Sequence, residues 1–321
     1  MRVRLRAPQP GDRHAIVAAL QDRDTVSWLS RVPWPYHLAD ADHFLDEVAT
    51  DKDQAILVDG HFAGMIRLHG ELGYWIAPDY RKRGVATRSA QMALFRAFSD
   101  GKSTVTATSF VGNSASLGVL HRVGFVETGR QMATRRMDGE ELEQIVLKAS
   151  PESFAAALHI STRRCRLDRM TEADLTTMHR IATMPQVARM LLRFHPDQTP
   201  DQVAEVIRPA MDPLDRPVRL AIRLNGQCIG SVGVAGGDEP SVFYFLDPAM
   251  AGKGLASEIV PEFCDAVQDW YGLDTLRAEV FQDNPASRRV LEKAGFAVIA
   301  DIAMPSAGRA APEPGWIMQR G

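Results

Sequence analysis

The stretch Tyr80-Arg81-Lys82-Arg83-Gly84-Val85-Ala86 sets three cations beside a glycine. It follows a short strand-like run, Leu72 to Ala77, closed by Pro78-Asp79, and precedes a helical run from about Thr87 to Phe98. The first N–H groups of a helix lack internal partners, and the helix dipole gives that end partial positive charge. A strand, a basic glycine turn and a helix start therefore form a place to hold phosphate. Gly84 permits close backbone approach, Ala86 keeps the next position small, and Arg81, Lys82 and Arg83 add full charges. A diphosphate-bearing cofactor fits such a turn; the plain alternative is a basic surface turn that caps a helix. Neither the dinucleotide fingerprint GxGxxG nor the loop GxxxxGK[ST] occurs. A Gly-x-Ser-x-Gly elbow is also absent, and no His/Cys/Asp group has zinc spacing, so no metal is expected.

The elements that must carry this turn are bounded by composition. At 321 residues the chain has room for about two domains. With 45% hydrophobic and 24% charged residues it should fold into sizeable cores. A net charge of -3 argues against nucleic acid or an anionic membrane as partner. Cys165, Cys228 and Cys264 are odd in number and lack a CxxC, and they read as reduced thiols of a cytoplasmic protein. Met1-Arg2-Val3-Arg4 begins a strand rather than a signal peptide, and no apolar run approaches the ~18 residues of a membrane span.

Along the chain, residues 2–6 alternate as a strand. Residues 14–20, 24–29 and 39–48 read as helices, the last with Phe44, Leu45 and Val48 inward. Residues 55–58 and 62–68 make a hairpin around Asp59-Gly60. Strands follow at 72–77, 104–109, 126–128 and 143–147, and helices at 87–98 and 113–122, the latter capped by Asn113 and stopped by Gly124. Residues 151–161 break the pattern and read as a linker between domains at 1–150 and 162–321. Beyond it the order recurs: a strand at 164–167, helices at 172–181, 187–192 and 200–207, and a hairpin around Asn225-Gly226. Strands at 241–246 and 276–281, a helix at 254–270, and a helix opened by Asn284-Pro285 complete it. Asp12 maps on Asp174, Gly84 on Gly254, Asn113 on Asn284 and Phe125 on Phe296; the offset grows from 162 to 171, as loop insertions would produce. The chain reads as two copies of one domain in tandem.

Arg81-x-x-Gly84-x-Ala86 resembles the R/Q-x-x-G-x-G/A signature of the GCN5-related N-acetyltransferases, the GNAT superfamily. Asn113-x-x-Ser116-x-x-x-Leu120-x-x-x-Gly124-Phe125 and its twin from Asn284 through Ser287 and Leu291 to Gly295-Phe296 resemble the same family's N-x-x-[AS]…GF helix. The pairing recurs in both halves, and the Tyr74-Trp75 strand ending with the Pro33–Tyr36 loop is similar to the ribosomal-protein-alanine N-acetyltransferases (RimJ/RimL type). The resemblance implies a mixed α/β fold of two GNAT domains, each a splayed central sheet flanked by helices. It implies acetyl-CoA as cofactor, with its pantetheine arm on the backbone of Trp75, Ile76 and Ala77 in the splay and its diphosphate on Arg81, Lys82, Arg83, Gly84, Val85, Ala86 and Thr87. Asn113 and Ser116 would contact the arm. The matching positions of the second copy are Leu246, Gly252, Lys253, Gly254, Leu255, Ala256, Ser257, Asn284 and Ser287.

The family transfers acetyl directly to an amine, which attacks only when neutral, so a general base is required. Glu71, at the head of the splayed strand, is the candidate; His69 is the substitute, and a solvated loop carboxylate is the alternative reading. The Tyr used as acid by many members is replaced by Leu120 and Leu291. In the RimJ/RimL branch a Ser of that helix takes the role, which falls on Ser116; otherwise Ser116 only supports the helix start. In the second copy Ala251 stands at the Arg81 position and Ser241 at the Glu71 position, so the first copy should bind cofactor better. Trp28, Trp34 and Tyr36 either line a substrate loop or simply pack two short helices. The acceptor is expected to be a small-molecule or peptide amine, and the chain a pseudo-dimeric monomer or a homodimer. The rival reading is a non-catalytic acyl-CoA-binding sensor or scaffold.

Overall fold

The computed structural model describes residues 1–321, which divide into two compact units, Met1–Ala157 and Leu158–Gly321. No helix is long and apolar enough to cross a membrane. The first unit runs β1 (Val3–Arg6), α1 (Arg13–Leu20), α2 (Arg23–Val26), α3 (Leu38–His43), β2 (Asp53–Val58), β3 (His61–His69) and β4 (Glu71–Ile76). It continues α4 (Val85–Ser99), β5 (Val105–Phe110), α5 (Ser114–Arg122), β6 (Val126–Thr134), β7 (Glu141–Ala149) and α6 (Pro151–Ala157). Its seven strands lie in the order β1-β2-β3-β4-β5-β7-β6. Every neighbouring pair is antiparallel except β4 with β5. The β2–β3 turn places Asp59 and Gly60 at φ 49° and 87°, the two positive values that match the twist of a two-residue hairpin.

Ile16, Leu20, Val26, Tyr36 and Ala41 of the α1–α3 layer form a cluster closed by Phe62 and Trp75 of the sheet. Helix α4 buries Val85, Ala90, Leu94 and Phe95 and packs against β1, β3 and β4. The helix expected through residue 48 ends at His43 and passes into a wider turn, Phe44–Val48, which rotates Val48 outward.

The linker expected at 151–161 is folded. Ser150 and Ser153 cap each other across the start of α6, each hydroxyl accepting the other's N–H (2.9 and 3.2 Å). Phe154 is fully buried, edge-on to Phe95 at 5.2 Å and tilted against Phe98 at 5.6 Å. The apolar anchor thus binds the segment to the first unit, and the division falls between 157 and 158.

The second unit starts with a short edge strand, β8 (His159–Ser161), within that same expected linker. There follow β9 (Cys165–Arg169), α7 (Leu175–Ala182), α8 (Pro185–Ala188), α9 (Pro200–Ile207), β10 (Val218–Leu224), β11 (Gln227–Val234) and β12 (Val242–Leu246). Then come α10 (Leu255–Tyr271), β13 (Leu276–Phe281), α11 (Pro285–Lys293), β14 (Ala297–Met304) and β15 (Glu313–Arg320). The helix expected at 187–192 is only the single turn α8. The strand order of the first unit recurs, but as two sheets, β12-β11-β10-β9-β8 and β13-β15-β14. A single parallel bridge, Ser241 to Arg277, joins them. Asn225 and Gly226 repeat the positive-φ hairpin at 51° and 80°.

Candidate active site

The chemistry the sequence suggests needs a gap in a sheet, and both units have one. In the first, β4 and β5 pair only through Glu71 with Thr106 and Leu72 with Ala107. Beyond Leu72, β4 stays on β3 and β5 stays on β7, so the two strands diverge. The cleft between and above them has a volume of about 1090 Å³, at the top of the range usual for small-molecule sites, roughly 300–1,000 Å³. Strand geometry decides which backbone groups face it. The Ala77 N–H bonds the Ala63 carbonyl at 2.8 Å, so 73, 75 and 77 turn their amides to β3. Tyr74 and Ile76 therefore present theirs to the gap. By this one-residue parity the Trp75 and Ala77 amides face β3; Trp75 still lines the cleft, and Ala77 does not. Gly64, opposite Ile76, keeps this geometry: a Cβ there would lie 2.2 Å from the Trp75 carbonyl oxygen.

The basic turn forms the rim. Gly84 stands at φ 77° as the residue before α4, and no side chain caps the helix. A non-glycine residue would be strained there. The Arg88 N–H takes the Gly84 carbonyl at 3.0 Å, leaving the N–H groups of Val85, Ala86 and Thr87 without protein acceptors. Gly84, Val85, Ala86, Thr87 and Lys82 all line the cleft.

Two cations of the turn depart from their expected part. The Arg81 guanidinium is held by Asp22 and Thr25 of the α2 region, and its Nε donates to the Ile76 carbonyl at 3.3 Å. It fastens the turn to the neighbouring helix rather than standing free for an anion. Burial works against the Asp22 carboxylate, but Thr25 and Arg81 overcome it and lower its pKa. Arg83 lies outside the cleft lining, stacked over the Tyr80 ring at 5.6 Å.

Glu71, Ser116 and Asn113 are brought to one cleft. The Thr108 hydroxyl of β5 donates to Glu71 Oε1 at 2.6 Å, fixing the carboxylate where the strands begin to part. His69 is exposed, opposite Glu71 on β3, and lines the same cleft. Asn113 Oδ1 accepts the Ser116 N–H at 3.1 Å, so its side chain is the cap of α5. Ser116 Oγ lies 3.1 Å from the Tyr74 hydroxyl, which also reaches the Ser116 carbonyl at 3.3 Å. Burial pushes the Tyr74 hydroxyl up to about 12, outweighing the lowering by Ser116, so it stays protonated at neutral pH. Leu120 is buried and brings no acid. Trp28 lines the cleft, whereas Trp34 and Tyr36 belong to the α1–α3 cluster.

Sequence reasoning missed Tyr74, Thr108 and the Asp22–Thr25 pair as parts of this site. A signal for Tyr74 existed, because Tyr74 and Ser116 recur as Tyr244 and Ser287. The second unit repeats the contact, with Tyr244 Oη 2.8 Å from Ser287 Oγ and 3.4 Å from its carbonyl oxygen. Gly254 repeats the helix start at φ 71°, followed by Leu255, Ala256 and Ser257, and Asn284 repeats the cap to the Ser287 N–H at 3.1 Å. Gly252 and Lys253 lie exposed in the turn, where Arg164 Nη1 donates to the Lys253 carbonyl at 2.9 Å. Leu246 ends β12 opposite Gly230.

A family model and several known proteins match the chain. The family model of the Acetyltransferase (GNAT) domain matches residues 2–126 and again 164–297. The curated Bacillus subtilis (strain 168) protein YdaF, named as a candidate ribosomal N-acetyltransferase, is 27% identical over 147 residues, 40% of this chain and 79% of that protein. A GNAT-family acetyltransferase from Bacillus anthracis, known from its crystal structure, matches 50% of this chain and 97% of its own at 15% identity, with a TM-score of 0.44. The spermidine N-acetyltransferase of Vibrio cholerae, crystallised with CoA and spermine, matches 48% of this chain and 98% of its own at 16% identity, with a TM-score of 0.41. With a domain of that family twice along its length, in the strand order and with the helix starts just described, the chain belongs to the GNAT family and is an N-acetyltransferase of two tandem copies.

Proposed function

We infer that the first unit binds acetyl-CoA in the β4–β5 cleft and transfers its acetyl group directly to an amine, either a peptide N-terminus or a small primary amine. The observation that carries this is the coincidence of two sets of free backbone N–H groups in one cleft. Tyr74 and Ile76 face the splay, and Val85, Ala86 and Thr87 point free N–H groups from the start of α4. A chain carrying amides suits the first set, as an added strand would, and a diphosphate suits the second. Lys82 supplies charge at the rim. Arg81 holds the turn in place, and Asn113 sets the start of α5.

Acetyl-CoA, when bound, supplies an acetyl thioester. Glu71 takes the proton that the incoming ammonium must lose before its nitrogen can attack. Thr108 keeps one carboxylate oxygen occupied and so aims the other. As the nitrogen–carbon bond forms, the carbon–sulfur bond breaks and the sulfur needs a proton. The sulfur takes the second proton, which the nitrogen loses on becoming an amide, and the Ser116 hydroxyl, held 3.1 Å from the Tyr74 hydroxyl, would steady the sulfur by a hydrogen bond.

The test is thiol release from acetyl-CoA by the full chain with a panel of polyamines, aminoglycosides and N-terminal peptides. Release with at least one amine is expected. Tight acetyl-CoA binding with no release for any of them would leave a binding protein in place of an enzyme.

A further inference from the structure

The two copies differ in charge at matching positions. The helices α1 and α2 correspond to α7 and α8, which sets Asp24 against Gln186 and Arg31 against Arg193. The hairpins carry the same irregularity, after Ile56 in one and Ile222 in the other, with Ile56 facing Gly64 and Ile222 facing Gly230. That register sets Asp53 against Arg219 and Arg67 against Gly233. The β4 and β12 pairings set Glu71 against Ser241 and Gly73 against Phe243. In the first unit Asp24, Arg31, Asp53, Arg67 and Glu71 all line the cleft. At the matching positions of the second unit the three carboxylates are gone and the two cations are Arg193 and Arg219.

Arg219 is an unusual arginine. Only 6% of it is exposed, and it forms no ion pair. Its Cζ lies 4.4 Å from the Phe243 ring centre and 5.8 Å from those of Phe194 and Phe245. Nη1 donates to Ser231 Oγ at 2.7 Å, while Nε is buried without an acceptor. Ring faces stabilise a cation from above and below, but its in-plane N–H groups still need acceptors. In the first unit Arg67 has Asp53 at 3.8 Å for its cation. The second unit places no acid at either counterpart position, and Glu239 is engaged by Arg277. Burial, with Arg193 adding to it, pulls the Arg219 guanidinium down to about 9, a cost that an anion would relieve.

We propose that the second unit takes an acceptor amine that carries a carboxylate, recognised by Arg219 with Arg193 beside it. This rests on the transferase reading given above. The carboxylate has two possible sources, a free amino acid or an acidic residue near a peptide N-terminus, and a planar guanidinium suits either.

The experiment is calorimetric titration of the full chain with glycine and glutamate, their amides, and short amidated peptides beginning with Asp or Ala. Carboxylates should bind more tightly than the matching amides. Arg219→Met should weaken carboxylate binding about tenfold or more, Arg219→Lys less, and amide binding should not change. A preference for free glutamate over the Asp peptide assigns the amino acid as source; the reverse assigns the peptide. If Arg219→Met fails to fold by circular dichroism, the exposed Arg193→Gln reads the same selectivity, which should fall severalfold. Equal binding of acids and amides, no binding of any carboxylate, or selectivity that survives both variants overturns the proposal. Thiol release measured in parallel separates the two failures. Selective binding without release refutes turnover and leaves the carboxylate site standing.

Discussion

Glu71 and Arg81 show how one cleft divides its charges by task. The Glu71 carboxylate stands where β4 leaves β5, with one oxygen taken by Thr108. If it removes the ammonium proton, Glu71→Gln preserves shape and the Thr108 contact while removing the base. Acetyl-CoA affinity should then stay within about twofold and kcat should fall by ~10²–10⁴. Unchanged kcat would move the role to His69 or to water. Arg81 acts on structure, through Asp22, Thr25 and the Ile76 carbonyl. The pKa of Asp22 is lowered in the folded state, so the pair contributes stability above the unfolded carboxylate value near ~3.9, and that contribution is lost as pH falls through the folded value. Arg81→Ala should cost about 1 kcal/mol at pH 7, a modest figure because the pair is partly exposed. Urea midpoints should show the gap from the parent narrowing as pH falls below the unfolded carboxylate value. A gap that persists there would mean the loss lies in packing. Lys82 and Gly84 were legible as parts of a turn from type and order alone. The diversion of Arg81 was not, because its partners lie 59 and 56 residues away and only folding brings them together.

The elements legible in the sequence were those whose cues are local. Asp59-Gly60 and Asn225-Gly226 carry the two positive φ values a tight hairpin demands, and Asn113 and Asn284 cap the helices they precede. Helix α6 lay hidden because a short Ala-rich run after a proline gives no periodic signal, and its stability comes from distant rings. The Phe154 ring packs far along the chain, filling a space beside Phe95 and Phe98. The gap-facing parity of β4 was likewise invisible, since alternation fixes which residues share a side but only pairing to β3 fixes which side it is. Phe154→Ala removes a fully buried ring, a change worth ~3–5 kcal/mol. It should lower the stability of the first unit alone. In a thermal scan the transition that acetyl-CoA raises through the first cleft should drop, and the transition of the second unit should hold. A uniform fall of both would show that α6 does not belong to the first unit energetically.

Two copies with the same strand order need not keep equal sites, and their differences predict a ranking. Both retain what the fold itself supplies: a glycine at φ 77° or 71° before a long helix, an Asn cap, and a Tyr–Ser contact across the splay. Backbone N–H groups make most of a phosphate cradle, so both turns should hold the diphosphate. Around that common base the first turn sets Lys82 in the cleft lining, while the second has Lys253, carries the acid Glu258 in the first turn of its helix, and spends Arg164 on a carbonyl. The first site should therefore be the tighter, and more so at low salt, where screening is weak. Titrating the full chain with acetyl-CoA should give two sites. Gly84→Asp should delete the tighter by setting a carboxylate and a strained left-handed residue at the rim, and Gly254→Asp should delete the weaker. Each variant leaves the other unit intact, so the surviving isotherm identifies its site without separating the halves. Loss of the weaker isotherm on Gly84→Asp would reverse the ranking and make the site of the second unit the principal one.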